Sequence, residues 1–212
     1  MGDLVTYVLD GPLAIITMDD GKANVLSPTM QAELHAALDR AETDTAVVVL
    51  RGREGVFSGG FDLAERMFTF PRPTITVCTG HAVAMGVFLL LSADYRIGGE
   101  GTYKITANEV AIGLTMPRAA IEILRQRLTP AAFTRAALLA EVFSPSNAVT
   151  CGFLDEVVGT DALESTVLEL GQQLAQLDKR AHAETKLRAR RTMLEALRIA
   201  IEADRPDFDA SV

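Results

Sequence analysis

The heptapeptide FSGGFDL, residues 57–63, follows a strongly apolar run, TAVVVLRG at 45–52. A continuous run of β-branched residues predicts a strand that is buried on both faces. The two glycines leave bare backbone, which another group can approach closely. No Gly-Lys-Ser follows them, so the segment is not typical of a phosphate-binding loop. It indicates a different kind of backbone binding site near a strand end.

A second strand, TITVC at 74–78, ends in a similar way, because TGHAVAMGVFLLL at 79–91 leads from glycine into an apolar segment of helical length. The first turn of a helix carries free backbone N–H groups and the positive end of the helix dipole. If the two strand ends face each other, two backbone N–H groups can donate to one oxygen atom. That arrangement is an oxyanion hole, which stabilises a carbonyl as it becomes an enolate.

The surrounding pattern of strands alternating with helices, followed by a helical last third, predicts an α/β fold. The predicted elements are a hairpin turning at Gly11-Pro12, an amphipathic helix at 28–42, short strands at 95–99 and 102–106 with 110–114 as a candidate third, and long helices at 162–177 and 183–203.

Composition narrows the class of protein. The 212 residues allow one sizeable domain, and the net charge of −8 argues against a nucleic-acid partner. We interpret the basic stretch KLRARR, 186–191, as a solvated helix face. A mean hydropathy of +0.21 favours a homo-oligomer in which apolar surface is buried between copies of the chain.

The cysteines and the apolar runs indicate the cellular compartment in which the protein is expected. Cys78 and Cys151 lie far apart in apolar contexts and are expected to be buried, reduced thiols, which suits a cytoplasmic protein. No signal peptide is evident, and the longest apolar run is too short to span a bilayer, so no membrane partner is expected.

Four ordered blocks, FSGGFDL, GHAVAMG (80–86), NEVAIGL (108–114) and AVTCGFLDEVV (148–158), resemble the crotonase (enoyl-CoA hydratase/isomerase) superfamily. The resemblance covers nearly the whole chain. It implies a spiral of ββα units over residues 1–158 and a C-terminal helical region over 159–212. It further implies a homotrimer or a hexamer of paired trimers, and an acyl-CoA substrate. Coenzyme A would then enter as part of the substrate, with no separate cofactor and no metal.

When the family's oxyanion-hole positions are carried over to this sequence, the resemblance implies that the backbone N–H groups of Phe61 and Met85 are the donors. It assigns the loop GKANVL, 21–26, to the adenine and ribose-phosphate end of coenzyme A, although a solvent-facing Lys22 is nearly as well supported. The residues expected to contact the acyl-CoA are Lys22, Ala23, Val25, Ser58, Gly59, Gly60, Asp62, Leu63, Ala82, Gly86 and Gly113.

Acidic residues decide the chemistry in this family. Hydratases resembling this chain use two glutamates, of which one corresponds to Glu109 and the other falls at Phe88. Water addition needs two proton-handling groups, or one that does both jobs, whereas a double-bond shift needs a single base. The sequence therefore favours 3,2-enoyl-CoA isomerase, with hydratase and a non-catalytic acyl-CoA-binding protein as alternatives. A pocket lined by Phe88, Met85 and Leu114 is expected to raise the pKa of Glu109.

Other polar residues are expected to be structural. His81 and Asp155 are interpreted in this way, Asp62 as a helix cap, and Glu122 and Glu141 as solvated or subunit-facing. The stretch from Leu63 to Arg72 is shorter than the family usually has. This indicates either a deletion that opens the pocket or, as the abrupt join favours, an omitted segment.

Overall fold

The computed structural model describes residues 4–21, 24, 27–52, 55–56 and 61–209, with the backbone alone for 55, 56, 61, 62 and 205–209. Its strands are β1 (Val5–Asp10), β2 (Leu13–Met18), β3 (Val47–Gly52), β4 (Gly55–Val56), β5 (Thr74–Cys78), β6 (Gly80–Val83), β7 (Tyr95–Gly99), β8 (Ile105–Thr106) and β9 (Glu156–Val158). Its helices are α1 (Pro28–Thr43), α2 (Phe61–Thr69), α3 (Met85–Ser92), α4 (Arg118–Arg127), α5 (Pro130–Leu139), α6 (Pro145–Cys151), α7 (Leu163–Ala175) and α8 (Lys179–Asp209), with 3₁₀ helices at Val110–Ile112 and Thr160–Ala162.

The strands form two sheets. The larger has the order β1-β2-β3-β5-β7-β9, antiparallel between β1 and β2 and parallel elsewhere. The smaller has the order β4-β6-β8 and is parallel. Strands alternate with helices as the sequence pattern predicts, and the last third is helical apart from β9.

Both faces of the larger sheet are covered, which explains why its central strands are apolar throughout. Val47 and Val49 of β3 pack with Leu163 and Val167 of α7, on one face. The alternate residues of β3 belong to the main core on the other face, with α1, α2, α3 and α4. Successive strand residues point to opposite faces, so a strand between two helical layers must be apolar at every position.

Two of the predicted helices form for different reasons. α1 begins at Ser27, whose Oγ accepts the N–H of Met30 at 3.2 Å, and it buries the stripe that the spacing predicted. In α3, every residue from Gly86 to Ser92 is buried, so this helix has no solvent face.

The interpretation of KLRARR as a solvated face was wrong for two of its residues. Lys186 is buried, and its Nζ donates to Asp94 Oδ2 at 2.7 Å and to the Phe70 carbonyl at 2.9 Å. Arg190 Nη2 donates to Asp94 Oδ1 at 2.7 Å. Burial lowers the pKa of Lys186 to about 8, because the desolvation of its charge outweighs the attraction of Asp94. These contacts anchor α8 to the start of β7.

The structure also decides smaller expectations. Cys78 and Cys151 are buried and free, as expected, and burial raises the pKa of the Cys78 thiol to about 12. The candidate third strand at 110–114 was wrong, because Val110–Ile112 is a 3₁₀ helix ended by Gly113 in the left-handed conformation.

Replacing Gly152 by Ala is expected to lower the free energy of unfolding by more than about 2 kcal/mol. Gly152 ends α6 with φ of +94°, and a Cβ there would lie 2.5 Å from the backbone oxygen of Arg127. Gly11→Ala is the matched control, because φ is +54° but nothing lies within 4 Å of the added atom. Its strain alone should cost about 1 kcal/mol. Equal losses for the two variants in urea unfolding would contradict the close contact.

Candidate active site

Two helix N-termini stand at the positions that the glycine-rich segments mark. α2 begins at Phe61, directly after residues 57–60, and α3 begins at Met85, after β6. The two helices pack against each other. Ala84, which precedes Met85, has φ of 51° and ψ of −123°, an unusual conformation for a residue with a side chain. Backbone strain of this kind is concentrated at functional sites, where the surrounding structure holds it in place.

The segment that carries Glu109 is fixed beside the start of α3. The N–H of Ala82 donates to the Lys104 carbonyl at 3.0 Å, and the N–H of Ala84 donates to the Thr106 carbonyl at 3.0 Å. These bonds continue the parallel pairing of β6 with β8. Thr106 is therefore bonded to Ala84, the residue before Met85, and Glu109 follows Thr106 by three residues.

Glu109 is a buried carboxyl with few partners. It is 5% exposed, and its Oε2 has no hydrogen-bond partner in the described part of the chain. Its carbonyl accepts the N–H groups of Ile112 and Leu114, at 3.1 and 2.9 Å, which fixes the backbone of the turn. Burial raises the pKa of the Glu109 carboxyl, against a smaller opposite effect of its own backbone N–H. A raised pKa suits a group that exchanges protons near neutral pH.

Phe88 lies fully buried in the main core, with 0% exposure. Its position on α3 therefore brings neither a carboxylate nor a polar group to the site. The expected direction of the Glu109 pKa is confirmed. The expected lining by Phe88, Met85 and Leu114 stays a prediction, and Leu114 is 56% exposed.

The remaining predicted contact residues divide into two groups. Lys22, Ala23, Val25, Ser58, Gly59 and Gly60 lie outside the described residues, and Phe61 and Asp62 are described by their backbone alone. The side chains of Leu63 and Ala82 belong to the core, as does the backbone of Gly86 in α3. These three can face a ligand only through their backbone, and Gly113 ends the 3₁₀ helix with φ of +82°.

The structural interpretation of two polar residues agrees with their contacts. His81 Nδ1 accepts the backbone N–H of Lys104 at 3.0 Å. Asp155 binds Arg96 through both carboxylate oxygens, at 2.9 and 2.6 Å. Glu122 pairs with Arg125 on the same helix, α4, at 2.6 Å. Glu141, just after α5, pairs with Arg135 of α5 at 2.8 Å.

Sequence reasoning overlooked two polar neighbours of Glu109. Thr106 is 3% exposed, and both its Oγ1 and Asn108 Oδ1 are buried without a hydrogen-bond partner in the described residues. The sequence gives little signal for them, because Thr106 and Asn108 lie in a polar stretch, TYKITANE at 102–109, in which they do not stand out.

Among the described residues, no group of three or more His, Cys, Asp or Glu side chains is placed to hold a metal ion. Within the same residues, no helix is both long and apolar enough to cross a membrane.

The fold, with its C-terminal helical region and a buried glutamate on the segment bonded beside the start of α3, is that of the crotonases. A family model described as enoyl-CoA hydratase/isomerase matches residues 10–69 and 61–211. The chain belongs to this family.

Several proteins are similar over most of their length. A structure of an enoyl-CoA hydratase/isomerase family protein from Pseudomonas syringae is 44% identical, with a TM-score of 0.94 over 96% of this chain and 97% of that one. A Mycobacterium tuberculosis protein, described as an enoyl-CoA isomerase in one structure and as a probable enoyl-CoA hydratase in another, is 42% identical in the first, with a TM-score of 0.91 over 95% of this chain and 97% of that one. Human mitochondrial enoyl-CoA delta isomerase 1 is 26% identical over 92% of this chain and 73% of its own. A structure of human mitochondrial delta3-delta2-enoyl-CoA isomerase has a TM-score of 0.89.

The short stretch after Leu63 lies where the two parts of the family match meet, since they overlap over residues 61–69. The alignment to the human isomerase runs over 221 positions, more than the 212 residues of this chain, so that relative has additional residues within the matched region. In this chain α2 is instead held by ion pairs on both sides, Arg66 with Asp39 and Glu65 with Arg198, each at 2.6 Å.

Proposed function

We propose that this enzyme is a 3,2-enoyl-CoA isomerase and that Glu109 is its base. One observation carries the proposal: a single buried carboxyl with a raised pKa lies in the described part of the site, while the position of the second glutamate is a phenylalanine in the core. Moving a double bond requires one base, and hydration requires two proton-handling groups or one that does both jobs.

In the proposed reaction, the Glu109 carboxylate removes a proton from C2 of a 3-enoyl thioester. The electron pair of that C–H bond moves into a dienolate whose negative charge lies on the thioester oxygen. The backbone N–H groups of Phe61 and Met85 would stabilise this oxygen. Glu109 then returns the proton to C4, which yields the 2-enoyl thioester. C2 and C4 are both bonded to C3, so one carboxylate can serve both atoms.

The names of the relatives include both activities. The human protein is named an enoyl-CoA isomerase, the M. tuberculosis protein is described as an isomerase in one structure and as a probable hydratase in another, and further family members are named hydratases. We propose acyl-CoA thioesters as the substrates for the same reason, with coenzyme A as part of the substrate.

The test compares two substrates, 3-hexenoyl-CoA and crotonyl-CoA, at equal concentrations of enzyme. We expect conversion of the first to the 2-enoyl product at a rate at least roughly 10²-fold above hydration of the second. Faster hydration of crotonyl-CoA would instead identify a hydratase. Binding of both thioesters without turnover would identify an acyl-CoA-binding protein.

We also propose that the chain assembles into a homotrimer, or a hexamer of paired trimers, through an apolar face beside the site. The 3₁₀ helix at Val110–Ile112 packs against α5. Large apolar side chains on these elements and just after them are exposed: Val110, Ile112, Leu114, Leu138, Leu139 and Val142. An apolar surface of this kind next to a reaction site is typical of a protein interface.

Leu139→Glu should therefore reduce the molar mass in solution to that of one chain. Leu139 is 69% exposed, so a charge there costs little in a monomer but would be buried in an assembly. Ile199→Glu on α8 is the matched control, since Ile199 is similarly exposed but lies on another element. Light scattering after size-exclusion chromatography measures the molar mass of both variants. An assembly that Leu139→Glu leaves intact would exclude this face.

A further inference from the structure

The distribution of unpartnered buried atoms singles out one short segment. Among the described residues, the buried side-chain oxygens without a hydrogen-bond partner are Thr106 Oγ1, Asn108 Oδ1 and Glu109 Oε2. The remaining unpartnered atoms are nitrogens of Arg72, Arg96 and His182. Buried polar atoms normally have partners, and leaving one without a partner destabilises the folded state. Three such oxygens within four residues therefore point to a ligand that supplies hydrogen-bond donors.

The three side chains belong to one segment of four residues, which limits how far apart their oxygens can lie. Thr106 ends β8 and Asn108 follows two residues later, so their Cα atoms lie within about 7 Å of each other. Glu109 is the next residue and starts the turn. One water molecule bridges two oxygens up to about 5.6 Å apart, since each hydrogen bond is about 2.8 Å long.

The chemistry of the three groups matches water better than an acyl chain. An enoyl chain has no N–H or O–H group near its double bond. A water molecule has two hydrogens and two lone pairs. It can donate to Asn108 Oδ1 and to the Glu109 carboxylate while it accepts the hydrogen of the Thr106 hydroxyl. Three hydrogen bonds are the usual number for a buried water.

We propose that Thr106 and Asn108 are positioning residues which, together with Glu109, bind one ordered water molecule beside the oxyanion hole. The water donates a hydrogen bond to the Glu109 carboxylate. It thereby stabilises the ionised form of the base and fixes the direction of its free oxygen. The inference rests on the proposed role of Glu109 as the base.

Within the described ranges, no other charge near Glu109 competes for this role. The pKa of Glu109 is set by burial and its own backbone N–H, with no contribution from a neighbouring charged side chain. On α5, the helix that packs against the turn, Arg135 pairs with Glu141 at 2.8 Å. The water is then the main source of stabilisation for the carboxylate.

The test is the pH profile of kcat/KM for 3-hexenoyl-CoA in four variants. Thr106→Val keeps the shape but removes the hydroxyl, and Asn108→Ala removes the amide. Either change weakens binding of the water, so the Glu109 carboxylate loses a hydrogen bond and its pKa rises. The acid limb of the profile should therefore move up by about one pH unit. Thr106→Ser retains the hydroxyl and should restore the wild-type profile. Thr150→Val is a control, because Thr150 is exposed on α6 and its hydroxyl donates to the Asn147 carbonyl. The melting temperature of each variant shows that it has folded.

Each outcome decides between alternatives. A shift for Thr106→Val and Asn108→Ala, with none for Thr106→Ser, supports the water site. Unchanged profiles in both, while Glu109→Gln is inactive, overturn it and leave Glu109 as the base. If Glu109→Gln keeps full activity, the proposed function fails instead. The competitive inhibition constants of 3-hydroxybutyryl-CoA and butyryl-CoA are measured in parallel. If Thr106→Val weakens only the first, with no change in pH profile, the site binds a substrate hydroxyl and the water is excluded.

Discussion

Glu109→Gln is expected to lower kcat for isomerisation of 3-hexenoyl-CoA by roughly 10³-fold, with little change in KM. An amide has nearly the shape of a carboxyl but cannot take the C2 proton. The proposed oxyanion donors, Phe61 and Met85, act through their backbone, which the substitution leaves in place, so binding of the thioester should persist. Stopped assays of the 2-enoyl product measure the rate, and a loss below about tenfold would mean that another group is the base.

The same substitution should stabilise the protein at neutral pH. Because burial raises the pKa of Glu109, the folded state holds a proton that the unfolded state has already released above the ordinary glutamate pKa. Unfolding free energy therefore falls as pH rises through this window, up to the folded-state pKa. The glutamine side chain cannot ionise, so the free energy of unfolding of the variant does not fall in this way as pH rises.

Melting temperatures across pH check the sign of this effect. We expect Glu109→Gln to melt higher than wild type at pH 7 to 8, and the difference to shrink below the ordinary glutamate pKa. Phe88→Leu serves as a comparison, because it removes core volume without a charge, and its loss of stability should not depend on pH. A melting temperature for Glu109→Gln below that of wild type at all pH values would contradict a buried, destabilised carboxylate.

Asp94→Asn is expected to have the largest effect on stability, about 3–5 kcal/mol. Asp94 accepts hydrogen bonds from Lys186 and Arg190, both at 2.7 Å, and from the Thr74 backbone at 2.9 Å. The asparagine leaves two buried cations without this counter-charge. Those cations also lower the pKa of Asp94, although burial itself acts in the opposite direction.

Asp39→Asn is the matched control for this substitution. Asp39 pairs with Arg66 at 2.6 Å, but its side chain is 69% exposed, so its removal should cost less than about 1 kcal/mol. Urea unfolding followed by circular dichroism measures both variants. Similar losses for the two would show that burial does not strengthen the Asp94 cluster.

The sequence predicts elements whose causes are local. The α1 helix follows from its serine cap and its apolar stripe, and the buried β3 and β5 follow from their β-branched residues. The buried α3 follows from length, since it is too long an apolar run for a strand. Each pattern is complete within about a dozen neighbouring residues, so it can be read without knowledge of the rest of the chain.

The candidate site is only partly readable in this way. Glu109 stands out because of its place within a family block, whereas alone it is an ordinary glutamate in a polar turn. The roles of Lys186 and Arg190 cannot be read from their neighbours, because the partner Asp94 lies 92 and 96 residues away from them. A basic helix face looks the same in sequence whether water or a distant carboxylate covers it.

The anchoring of α8 has a consequence for the order of folding during synthesis. Asp94 is made long before residues 179–209 leave the ribosome, and it enters a core whose counter-charges do not yet exist. Contacts this distant along the chain form slowly, because a long loop must close before they can contribute. We therefore expect the contacts of Asp94 with the two cations of α8 to form late, after the strands and helices before α8 have been synthesised.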